Sequence, residues 1–199
     1  MMDLANILKT LLIQPPTPTT VETFSTLGMI TPPMGLAYLA AVLEKNNCST
    51  EILDCPAQGI TLERIVENVK RINPDLVGIT ATTATITSAL DTAKLIKKVL
   101  PNTLIVFGGV HFTFVPEDTM QENKSIDIGC IGEGEYTLLD IVQTIEKGND
   151  LNNVKGIIYR KNGEHIRTQP RPHIANLDAL PFPARHLLPM NDYSAFGKK

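Results

Sequence analysis

The chain has 199 residues, 43% of them hydrophobic and 20% charged, which excludes a disordered or collagen-like polymer and fits one full domain with an extension. Its net charge of -3, with 18 basic and 21 acidic residues and no long run of either sign, argues against a nucleic-acid partner. No apolar stretch approaches the ~20 residues of a transmembrane helix. The opening MMDLANILKTLLIQPP has a lysine in its apolar run and no small-residue cleavage site, so a cytoplasmic protein without a signal peptide is expected.

In chain order, short apolar runs alternate with helical patterns. Residues 10–13 (TLLI) form the first strand candidate, closed by Gln14-Pro15-Pro16, where proline withholds a donor and fixes φ. A helix follows from Pro33 to about Asn46, and then a strand at 50–54 (TEILD). Residues 61–72 read as a helix with Thr61 as N-cap, its apolar Leu62, Ile65, Val66, Val69 and Ile72 making one buried face. Next come a strand at 76–80 (LVGIT), a helix over 86–100 stopped by Pro101, and strands at 104–107 (LIVF) and 126–131 (IDIGCI). Leu138, Ile141, Val142 and Ile145 mark the last helix, with Gly148 as its C′ residue.

Continuously apolar strands separated by helices specify an α/β fold: a doubly wound parallel five-stranded sheet covered on both faces, over residues 7–148. Residues 156–168 read as a β-hairpin turning on Asn162-Gly163, a type I′ signal. Five prolines among residues 169–190 then mark an extended connector. The expected organisation is a ligand-binding domain at 1–150, a hairpin extension at 151–170 and a connector at 171–199.

Doubly wound sheets bind ligands at the carboxyl ends of their strands, so the loops there are the candidates. These are the Pro- and Thr-rich stretch from Gln14 to Pro32, the threonines at 80–85, the run Gly108-Gly109-Val110-His111-Phe112-Thr113, and Gly132-Glu133-Gly134-Glu135. Gly132-x-Gly134 lacks the third glycine of a dinucleotide fingerprint, since Thr137 stands there, and Glu133 and Glu135 would repel a pyrophosphate. No P-loop sequence occurs. Adjacent Gly108 and Gly109 let a flat ligand lie against the backbone, and the hydroxyls of Thr80, Thr82, Thr83 and Thr113 could bond amides at its edge. The alternative is a tight turn with helix-capping threonines. Similarly, Glu133 and Glu135 could serve a helix N-terminus. His111 is the one histidine among these loops and could ligate, carry a proton or line a pocket. Cys48, Cys55 and Cys130 form neither a Cys-x-x-Cys pair nor a disulfide framework and read as ordinary thiols. No catalytic set and no multi-ligand metal site follow.

Four segments in order carry a family likeness. Residues 32–44 (PPMGLAYLAAVLE) with Ile52-Leu53-Asp54 resemble the first crossover of the cobalamin-binding domain that precedes radical S-adenosylmethionine (radical SAM) domains. Residues 108–113 with Pro116-Glu117 resemble that family's loop after strand four, and residues 131–135 the next loop. Residues 177–185 (LDALPFPAR) resemble its lead into the radical SAM barrel. The resemblance implies a three-layer, flavodoxin-like (Rossmann-like) domain holding cobalamin. Thr80, Thr82, Gly108 and Gly109 would line the nucleotide tail, with the Gln14–Pro16 loop and His111 approaching the corrin, and Thr83, Thr113, Gly132, Glu133 and Gly134 completing the site. It also implies a C-terminal radical SAM domain in cis, with a [4Fe–4S] cluster and S-adenosylmethionine, for methyl transfer or porphyrin-type oxidative cyclisation. The lower-ligand Asp-x-His-x-x-Gly and the cluster's Cys-x-x-x-Cys-x-x-Cys are both absent from this chain. The expectation is therefore the N-terminal module of a longer enzyme, binding but not catalytic alone. Two other readings stay open: a flavodoxin-like flavin or nucleotide binder, and a B12-type fold that has lost its ligand and serves interaction.

Overall fold

The structure is a computed structural model that describes residues 7–17 and 30–193. Most of the threonine-rich stretch after the first strand, residues 18–29, and the last six residues of the connector lie outside the described part.

Strands β1 (Lys9–Gln14), β2 (Ser49–Asp54), β3 (Leu76–Thr80), β4 (Leu104–Gly108) and β5 (Ile128–Cys130) pair in parallel in the order β2-β1-β3-β4-β5. The hairpin strands β6 (Ile157–Lys161) and β7 (Glu164–Arg167) continue the same sheet. β6 runs antiparallel to β5, with Ile128 opposite Tyr159 and Cys130 opposite Ile157. The sheet thus has seven strands: the hairpin read as an extension closes one edge of the core sheet. Its turn is as expected, with Asn162 and Gly163 both at positive φ (53° and 86°), the conformation a type I′ turn needs.

The period-2 alternation of the strands decides the layers. Leu11, Ile13, Val77, Ile79, Ile105 and Phe107 face helices α3 (Leu62–Ile72) and α4 (Ile86–Val99). Leu12, Leu76, Val106, Ile128 and Cys130 face α1 (Met34–Lys45) and α7 (Glu135–Glu146) on the other side. Burying each such aliphatic side chain contributes about 1.5–3 kcal/mol, so both faces must be covered for the sheet to stand.

Several helix ends differ from the sequence expectation in detail. Pro33 occupies the N-cap of α1 rather than its first turn. Thr61 is the N-cap residue of α3, but its side chain makes no capping hydrogen bond. A short helix α2 (Cys55–Gln58) precedes it, capped by Asp54, whose Oδ1 accepts the Ala57 N–H at 3.3 Å. The run after β4 folds into α5 (Val110–Phe114) and α6 (Pro116–Glu122), two helices too short for an apolar period to reveal. Gly148 ends α7 as expected: the N–H groups of Gly148 and Asn149 donate to the carbonyls of Ile145 and Thr144, the paired bonds of a Schellman end.

Candidate binding cleft at the carboxyl ends of the strands

The sheet order reverses at β1, because one connection leaves toward β2 and the chain returns on the other side to β3. Their diverging loops leave a crevice at the strands' carboxyl ends. A cleft of about 270 Å³ opens there. Its floor is Leu12, Gly78, Val106 and Cys130, one residue from each of four neighbouring strands. Gly35, Leu36 and Leu39 of α1 form one wall; Gly132, Gly134 and Leu138 form the other. Polar groups come from Gln14 and Thr80 at the strand ends and from Glu135 at the start of α7.

Two glycines make this space. A Cβ on Gly78 would stand 2.8 Å from Leu12 Cδ2, so any side chain at this strand position would close the floor. Glycine inside a strand marks a close approach by a ligand or another backbone. At Gly35 a Cβ would meet nothing within 4 Å, so the first turn of α1 opens directly onto the cleft.

The Gly108-Gly109 pair divides its labour. Gly108 lines the cleft, and a Cβ there would reach only Cys130 Cβ, at an ordinary 3.7 Å. Gly109 also lines it but is required by the backbone. Its φ is +93°, and a Cβ would lie 2.6 Å from Ala81 O and 2.8 Å from Thr80 Oγ1. That close approach accompanies the bonds Ala81 N–H to Gly108 O (3.0 Å) and His111 N–H to Ala81 O (3.2 Å), which lock the β3 and β4 loops together.

Of the residues predicted from sequence, Gln14, Thr80, Gly108, Gly109, Gly132 and Gly134 line the cleft. The others stand around it. Pro15 is buried beside β1, and the Pro16 carbonyl accepts the Ser88 hydroxyl at 2.7 Å. Thr82 bonds to Thr85 through both its N–H and its hydroxyl, closing the turn before α4. Thr83 Oγ1 lies 3.2 Å from His111 Nδ1, which fixes the imidazole against the neighbouring loop. Thr113 donates to Gly109 O and accepts the Gly132 N–H, both at 3.1 Å, joining α5 to the β5–α7 loop. Glu133 turns away from the cleft: its Oε2 accepts the Ile174 N–H at 2.6 Å. Sequence reasoning missed the floor and the α1 wall. The interior glycine of LVGIT was the signal for Gly78; Leu36, Leu39 and Leu138 look like any core leucine.

Burial pushes the Cys130 thiol up to about 12, against the opposing pull of the Arg171 guanidinium, so it stays protonated. Among the described residues no group of three or more His, Cys, Asp or Glu side chains is placed to hold a metal ion. No described helix is long and apolar enough to cross a membrane.

The domain thus has the doubly wound, flavodoxin-like strand order, with a glycine-opened apolar cleft at its switch point. The chain belongs to the B12-binding domain family, whose profile matches residues 23–142. An uncharacterized methyltransferase of Pyrococcus horikoshii is 40% identical over 191 residues, covering 96% of this chain and 41% of the relative. The anaerobic magnesium-protoporphyrin IX monomethyl ester cyclase of Rubrivivax gelatinosus is 33% identical over 154 residues, covering 75% of this chain and 28% of the relative. The chain therefore spans well under half the length of these relatives. Among solved structures, the cobalamin-dependent S-adenosylmethionine radical enzyme OxsB with aqua-cobalamin and S-adenosylmethionine bound superposes with a TM-score of 0.77. It shares 23% identity, over 92% of this chain and 25% of that one. The radical S-adenosylmethionine methyltransferase TsrM with cobalamin and a [4Fe–4S] cluster bound has a TM-score of 0.69 at 20% identity, over 86% of this chain and 30% of that one. At these identities the structural likeness establishes the fold.

Proposed function

We propose that this domain binds cobalamin, with the flat base of its nucleotide tail in the cleft and the corrin over the carboxyl ends of β1, β3 and β4. The observation that carries this reading is the glycine-opened floor and wall at Gly78 and Gly35: an apolar cleft of about 270 Å³ between α1 and the start of α7 suits a flat heteroaromatic base and is too confined for a macrocycle. Gln14, Thr80 and Glu135 supply the hydrogen-bonding rim, and the Pro15-Pro16 turn, Thr82, Thr83, His111 and Thr113 hold the loops that border it. Cobalamin supplies the cobalt chemistry when bound; the chain's own residues bind it, orient it and exclude water from its tail.

In the whole protein the domain works beside a radical SAM domain in cis, which brings a [4Fe–4S] cluster and S-adenosylmethionine. The 40% identity to a methyltransferase supports methyl transfer over the cyclisation performed by the more distant cyclases.

Titration of the purified chain with hydroxocobalamin, followed by absorbance and calorimetry, tests the proposal. One-to-one binding at micromolar affinity or tighter is expected, with the spectral change of a displaced nucleotide base. A folded chain that leaves the spectrum and the heat signal unchanged would overturn it.

A further inference from the structure

The connector is not a loose tether. After Gln169 it crosses the outside of both walls of the cleft. Arg171 pairs with Asp140 on α7. The Ile174 N–H donates to Glu133 between the two cleft-lining glycines of the β5–α7 loop, at 2.6 Å. Farther on, the Ala184 N–H donates to Ala37 O of α1 at 2.9 Å, and His186 Nε2 lies 3.0 Å from Glu44 Oε1 at the far end of that helix. Ala184 is 2% exposed and Leu188 6% exposed, both buried. The segment is therefore docked by apolar contacts as well as by hydrogen bonds.

Each of these anchors sits on an element whose inner side lines the cleft. Ala37 directly follows Gly35 and Leu36; Glu133 lies between Gly132 and Gly134; Asp140 lies half a turn beyond Leu138. The two walls approach closely at Gly134 and Leu39, where a Cβ on Gly134 would lie 3.0 Å from Leu39 Cδ2. Drawing α1 away from α7 must stretch or release the segment that bridges them.

We propose that residues 171–193 are a strap that sets the width of the cleft, so that seating of the strap and occupancy of the cleft are thermodynamically linked. Glu133 then acts as a positioning residue, through Ile174, and not as a ligand contact. Linkage is reciprocal: whatever factor the seated strap adds to ligand affinity, the ligand returns as protection of the strap. The inference rests on the cobalamin reading for its ligand but on the connector's own contacts for its mechanism.

Ala184→Pro provides the variant. Ala184 already has φ of -73°, close to the value proline imposes, so the substitution deletes the N–H and places the ring against Ala37 O with little backbone strain. Hydroxocobalamin affinity and hydrogen exchange are measured on the full chain, wild type and variant. The expected result is cobalamin affinity weakened about fivefold in the variant. In the wild type, cobalamin should slow exchange at the amides of Ile174 and Ala184 by a similar factor, with those of the 157–168 hairpin unchanged. Wild type and variant binding equally well, with strap exchange indifferent to cobalamin, overturns the strap alone. A wild type that binds no cobalamin overturns the functional reading and the linkage with it. Should the variant fail to fold, the exchange comparison in the wild type still decides.

Discussion

The phenol of Tyr193 donates to Oδ2 of Asp54 at 2.7 Å, joining two residues 139 positions apart at the carboxyl end of β2. Asp54 is 1% exposed, and its other oxygen caps α2. Burial raises the carboxyl pKa above its ordinary value of 3.8, with the bonds from Tyr193 and Ala57 pulling the other way. The phenol is also raised, chiefly by burial.

A pKa raised on folding means that this group's contribution is fully present below the unfolded value and is lost as pH rises through the folded one. Asp54→Asn keeps the shape and both hydrogen-bonding positions, since a phenol can accept as well as donate, and abolishes the ionisation. Urea midpoints of variant and wild type should therefore nearly coincide below about pH 4. The variant should become the more stable as pH rises above that value, through the raised pKa of the folded carboxyl. A variant less stable at neutral pH would show that the buried carboxylate is compensated by its surroundings.

Filling the cleft should weaken binding without touching the fold. Gly35→Leu places a side chain where nothing stands within 4 Å, and it replaces a poor helix former with a good one. Gly108→Val adds bulk beside Cys130 in the same space. Each should weaken hydroxocobalamin binding at least tenfold, about 1.4 kcal/mol, with a melting temperature at or above wild type for Gly35→Leu. Unchanged affinity in both folded variants would move the ligand elsewhere.

Gly109→Ala should behave differently from its neighbour. The new methyl group meets backbone at 2.6 Å and a positive φ that side chains resist, so the expected cost is about 1–3 kcal/mol of folding stability. Urea unfolding measures it directly. Any loss of cobalamin binding should then track the unfolded fraction, whereas for Gly108→Val it should not.

Cysteine labelling maps occupancy without activity. All three thiols are buried, but only Cys130 lines the cleft. Its high pKa makes alkylation near neutral pH slow, because the thiolate is the reactive form. Cobalamin should slow alkylation of Cys130 several-fold further and leave the Cys48 and Cys55 rates unchanged, as read by peptide mass spectrometry. Uniform slowing of all three would indicate general stabilisation in place of contact.

The elements were legible in the sequence because their signals are local. The continuously apolar strand runs, the i, i+3, i+4, i+7 face of α3, the Asn162-Gly163 turn and the Gly148 stop each depend on neighbours a few residues away. A third of the cleft lining was legible too, since Gln14, Thr80, Gly108, Gly109, Gly132 and Gly134 lie in the loops a doubly wound sheet must use. The roles of Glu133 and Gly109 were not, because a carboxylate in a glycine loop and one glycine of a pair look alike until their partners, Ile174 and Ala81, are in place. Nothing local distinguishes Leu39 from any core leucine, or a free proline-rich tether from one docked on α1. The local sequence was enough to place the strands and the long helices α1, α3, α4 and α7, and to single out the loops at the carboxyl ends of the strands; the short helices α2, α5 and α6 escaped it. Tertiary structure alone decided that Leu12, Gly35, Gly78, Val106, Cys130 and Leu138 enclose one space. Each comes from a different element, and they meet only once long-range packing has set the β2-β1-β3-β4-β5 order and laid α1 and α7 against the sheet.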